Sequence, residues 1–60
     1  MDIFFLKGST GDTLVVEVLH VDMLTDVMTV SYKNKEYFLN FDPYTDYYVG
    51  TINGKAGYVL

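Results

Sequence analysis

The stretch Tyr47-Tyr48-Val49-Gly50-Thr51-Ile52-Asn53-Gly54-Lys55-Ala56-Gly57-Tyr58-Val59-Leu60 decides the fold of this chain. Asn53-Gly54 is a strong β-hairpin signal. A two-residue turn that matches strand twist needs positive φ at both positions, and Asn and Gly tolerate it. Counting outward pairs Ile52 with Lys55, Thr51 with Ala56, Gly50 with Gly57, Val49 with Tyr58, Tyr48 with Val59 and Tyr47 with Leu60. Side chains alternate across a strand, so one face holds Tyr48, Gly50, Ile52, Gly57 and Val59. The other holds Tyr47, Val49, Thr51, Ala56, Tyr58 and Leu60. Two glycines paired on the first face allow the close backbone approach that a tightly curled barrel needs.

The rest of the chain has the same character. Val, Ile, Thr, Tyr and Phe dominate, turn signals recur at short intervals, and no helix of useful length is indicated. A first strand is expected over 2–7, closed by Gly8-Ser9-Thr10-Gly11-Asp12. A second over 13–21 sends Leu14, Val16 and Val18 inward and leaves Val15, Glu17 and Leu19 outward. Residues 22–26 turn the chain, with Met23 and Leu24 unusually apolar for a tip. A third strand over 27–33 places Met28, Val30 and Tyr32 on one face. Asn34-Lys35 then forms a hairpin turn, and a fourth strand over 36–41 points Tyr37, Leu39 and Phe41 inward, with Phe38 outward. Asp42-Pro43 ends it, because proline cannot donate to the ladder. The expectation is an all-β chain forming one domain over 1–60: a small barrel of five to six short antiparallel strands, without repeats or linkers.

Around the opening stretch the sequence resembles the distal hairpin of SH3 domains. The shared pattern is aromatic-aromatic-x-small-x-aliphatic-Asn-Gly-Lys-x-Gly-aromatic-aliphatic over 47–59, and Gly11-Asp12-Thr13-Leu14 is similar to the step that opens an SH3 strand. The resemblance implies an SH3-like barrel. It does not extend to polyproline recognition: of the family's ligand-binding positions only Tyr47 is present, and Leu60 stands where the family has proline.

Composition narrows the function. At 60 residues the chain buries only about 60% of the surface its unfolded form exposes. It has no cysteine and one histidine, so neither disulfide nor structural zinc is on offer. Six tyrosines and four phenylalanines supply the core instead. A net charge of −4 without arginine argues against nucleic-acid binding, which draws on Lys and Arg. The start lacks a basic leader and no apolar run is long enough for a membrane helix, so a cytoplasmic protein without membrane contact is expected.

Candidate chemistry is sparse. His20 has Glu17 and Asp22 near it, but Glu17 points to the other face of the strand and no nucleophile accompanies them, so no catalytic residue is assigned. Asp22 with Asp26, and Asp42 with Asp46, flank turns without the ligand series a hard cation wants; no metal or cofactor is expected. The aromatics remain. Tyr44, Tyr47 and Tyr58 are expected to be the most exposed, and ordinary half-buried tyrosines would read the same way. As a binding face, Tyr47, Val49, Tyr58 and Leu60 would be rimmed by Asp42, Tyr44 and Asp46, an aromatic patch with an acidic border. The expected function is a small non-catalytic protein-binding module whose partner has a basic or amphipathic surface. It would act by occupying that surface, in the manner of the inhibitors that bacteriophages and mobile elements encode. Two alternatives stand beside it: an acidic nucleic-acid mimic, and a structural subunit of a complex or homo-oligomer that buries Val15, Leu19, Met23, Leu24 and Phe38.

Overall fold

The computed structural model describes residues 1–8 and 11–60, which leaves Ser9 and Thr10 of the expected first loop outside the described residues. Six strands form: β1 (Asp2–Leu6), β2 (Thr13–Asp22), β3 (Val27–Tyr32), β4 (Lys35–Asp42), β5 (Tyr47–Ile52) and β6 (Lys55–Val59). Each pairs antiparallel with its neighbours in sequence, and β6 returns to pair with β1, closing a barrel. The chain is all-β, with no helix among the described residues and therefore none able to cross a membrane.

Strand alternation fills the barrel. Phe4, Val16, Met28, Val30, Leu39, Ile52 and Val59 are buried, and Leu6, Leu14, Val18, Val21, Tyr32, Tyr37 and Tyr48 pack against them. Phe41 also faces Tyr48, edge to face with ring centroids 5.4 Å apart. Gly50 and Gly57 pair across β5 and β6, and each makes room for a different core side chain. A Cβ on Gly57 would meet Phe4 Cε2 at 2.6 Å and the backbone carbonyl of Phe5; one on Gly50 would meet Leu39 Cδ2 at 2.6 Å. The missing side chain at Gly57 is what lets β1 close over β6, and the one at Gly50 lets Leu39 of β4 pack against β5.

Three expectations need correction. The β3–β4 turn is Lys33-Asn34, with φ of 50° and 65°, and not Asn34-Lys35; Tyr32 pairs with Lys35. Moving a two-residue turn by one position changes each cross-strand partner by two, so the inward set Tyr37 and Leu39 is unchanged. A β-bulge lies between Val18 and His20 on β2. It leaves both Leu19 and His20 exposed and turns Val21 inward, a change of phase that simple alternation does not foresee.

The third correction concerns repeats. Asp22-Met23-Leu24-Thr25-Asp26 and Asp42-Pro43-Tyr44-Thr45-Asp46 are built alike. In the first, Asp22 Oδ1 accepts from the N–H of Leu24 (2.9 Å) and of Thr25 (3.3 Å), and Asp26 N–H donates to the Asp22 carbonyl (2.9 Å). In the second, Asp42 Oδ1 accepts from Tyr44 N–H (3.0 Å), Oδ2 from the Thr45 hydroxyl (3.2 Å), and Asp46 N–H donates to the Asp42 carbonyl (2.8 Å). Both end on an aspartate at positive φ, 58° for Asp26 and 63° for Asp46. Each turn leads into a hairpin closed by a two-residue turn and then a lysine, Lys35 and Lys55. One turn-and-hairpin unit thus occurs twice in succession.

Candidate functional site

The outer face of β1, β6 and β5 is where aromatic side chains gather. Register puts Phe5 opposite Tyr58 and Tyr58 opposite Val49. Tyr47 lies two residues before Val49, hence on the same face and diagonal to Tyr58, within reach of a long side chain. The rings of Phe5 and Tyr58 stack with centroids 5.4 Å apart and planes 21° from parallel. Those of Tyr58 and Tyr47 stack at 4.8 Å and 12°. Three rings therefore form one ladder over three strands, with Tyr58 in the middle.

Beside the ladder runs a groove of about 390 Å³, lined by Lys7, Asp42, Thr45, Tyr47, Val49, Gly50, Ala56, Gly57 and Tyr58. Lys7 and Asp42 come from opposite ends of the barrel, so the groove carries a cation toward one end and a carboxylate toward the other. Thr45 closes the Asp42 end, its hydroxyl held by the Asp42 carboxylate.

Four of the residues expected at the site come together here: Tyr47, Val49, Tyr58 and Asp42. Leu60 does not join them. β6 ends at Val59, so the expected Tyr47–Leu60 pair does not form, and Leu60 lines a separate hollow with Met1, Asp2, Ile3, Phe5 and Val59. Tyr44 and Asp46 stand on the exposed β4–β5 turn, outside the groove lining. Tyr44 is 96% exposed as expected, whereas Tyr47 and Tyr58 are half-buried because they cover one another. Phe5 and Lys7 are absent from the expected set. Their only signal is the alternation of Phe4 in and Phe5 out, which becomes legible once β1 is known to lie beside β6.

His20 is exposed and faces Thr29 in the β2–β3 ladder, while Glu17 faces Ser31. The N–H groups of Leu24 and then Thr25 hold the Asp22 carboxyl below its usual value of 3.8. Among the described residues no three His, Cys, Asp or Glu side chains are grouped to hold a metal ion. Comparison of the chain with protein-family models, with curated proteins and with solved structures finds no match.

Proposed function

We propose that this protein is a non-catalytic protein-binding module on an SH3-like barrel, and that it works by occupying the surface of a partner. The ladder Phe5–Tyr58–Tyr47 carries the reading. Rigid stacked rings beside a shallow groove offer large contact area at small entropic cost, which is the make-up of interface hot spots. The partner surface that suits it is basic or amphipathic, given a net charge of −4.

A photo-crosslinking residue at Val49, in the groove, tests this against the same residue at Asn34, on a remote turn. A discrete protein adduct in source-cell lysate from position 49 only, lost on adding Tyr58→Ala, supports the module. Adducts of equal yield at both positions would count against it. One observation favours a second reading, a subunit of a larger assembly: Ile3 and Val15 pair across β1 and β2 on the outer face, 38% and 53% exposed. Light scattering that returns a monomer at micromolar concentration would argue against the homo-oligomeric form.

A further inference from the structure

The barrel is polarised from end to end. In an antiparallel barrel of sequential neighbours, alternate connections lie at opposite ends. Lys7 follows β1, Lys33 sits in the β3–β4 turn, and Lys35 and Lys55 open β4 and β6, so all four lysines share one end. At the other end Asp2 opens β1, Asp22 and Asp42 close β2 and β4, and Asp26 and Asp46 precede β3 and β5. No lysine lies there. Asp12 and Glu36 belong to the lysine end, and Glu17 to the middle of β2.

The acidic end also carries the most exposed apolar side chains of the two inter-hairpin turns: Met23 at 79%, Leu24 at 96% and Tyr44 at 96%. They do nothing for the core. Each sits on a turn fixed by its own aspartate, and the first turn is tied to β4, the strand that leads into the second, where Phe41 N–H donates to the Asp26 carbonyl (2.9 Å). Rigid apolar tips within an acidic field are preorganised for association.

We propose that this end docks a basic amphipathic helix of the partner, its apolar stripe on Leu24, Met23 and Tyr44 and its flanking lysines or arginines toward the aspartates. The proposal rests on the reading of the protein as a binding module and adds where the partner's charge is met. Charge complementarity selects the occupant. Nucleic acid and anionic membrane would be repelled. A second copy could offer lysines, but the two described hairpin turns at its lysine end, Lys33-Asn34 and Asn53-Gly54, carry nothing apolar to cover Leu24 and Tyr44.

The test is an NMR titration of the ¹⁵N-labelled chain with a synthetic helix of lysine and leucine, about 18 residues long, its leucines on one face. Shifts are expected at 23–26 and 44–46, with residues 33–35 and 53–55 unmoved. Leu24→Ser/Tyr44→Ser is expected to weaken binding about tenfold, with an unchanged urea midpoint because both side chains are exposed. The same composition with scattered leucines is expected to bind as weakly. Equal binding of the two peptides would reduce the site to bare charge and overturn the proposal. So would turn shifts that follow protein concentration without peptide, which would mean a second copy. Shifts confined to Phe5, Ala56 and Tyr58 would overturn it while supporting the groove. No binding at about 1 mM would overturn it too, the groove then standing or falling by its own crosslink.

Discussion

Replacing Gly57 by alanine puts the closure of the barrel to the test. The added methyl would sit 2.6 and 2.7 Å from Phe4 Cε2 and Cζ, and against the Phe5 carbonyl oxygen. Carbon atoms prefer separations of about 3.5–4.0 Å, so β1 must withdraw by about 1 Å. Phe4 is fully buried and the carbonyl is backbone, so neither gives way alone. Overpacking of this kind costs about 1–3 kcal/mol, and a backbone obstacle places Gly57→Ala near 3. A chain of 60 residues has a total stability of about 3–9 kcal/mol. The melting temperature should therefore fall by about 12–24 °C. Gly50→Ala should cost about 1–2 kcal/mol, since its closest obstacle is the end of the Leu39 side chain. Gly54→Ala meets nothing within 4 Å and bears only the strain of φ +77°, about 1 kcal/mol. Urea unfolding followed by tyrosine fluorescence and far-UV circular dichroism ranks the three. If Gly57→Ala proved milder than Gly54→Ala, β1 would not be seated over β6 and the closed barrel would be wrong.

Protonation of Asp22 supplies a second prediction. Its carboxyl is held below 3.8 in the folded chain, so its contribution is present above that value and lost as pH falls through and below it. Asp22→Asn keeps the acceptor but not the charge, and acid unfolding between about pH 4 and 2 should be less steep than in wild type; identical profiles would deny the carboxylate this role. Tyr58→Ala should destabilise more than Tyr47→Ala, because the middle ring has two stacking partners, each pair worth about 0.5–1.5 kcal/mol. Equal unfolding midpoints would mean that the ladder is not a unit. His20→Ala should change neither the thermal melt nor the Val49 crosslink, and loss of function in a folded His20→Ala protein would reopen the case for catalysis.

What the sequence makes legible follows from how local each determinant is. Asn53-Gly54 fixes its own register, so the partners of Ile52, Thr51, Gly50, Val49 and Tyr48 can be counted along the chain from the turn alone, and five of the six counted pairs form. The pairing of Tyr47 with Leu60 fails because β6 stops at Val59, beyond the influence of the turn. Asn34 marks a turn but fits either central position, so the expected β3–β4 turn falls one residue late without disturbing its faces. The bulge at Leu19 has no local signature; it answers the ladder with β3. Phe5 escapes a local reading for the same kind of reason, since its partner Tyr58 lies at the far end of the chain. The site is half legible because one of its strands is brought in by long-range pairing.

Closure has a consequence for how any partner can engage this protein. An open sheet presents a row of free N–H and C=O groups, and many recognition proteins bind by letting a foreign strand zip onto that row. With β1 joined to β6 the first and last strands present no such row to one another's side, so strand addition at that seam is denied to ligands and to aggregating copies alike. Across that seam recognition passes through side chains: the ring ladder and the groove beside it. Specificity would then reside in a few individually replaceable residues, and the barrel beneath them could remain unchanged while the partner is exchanged.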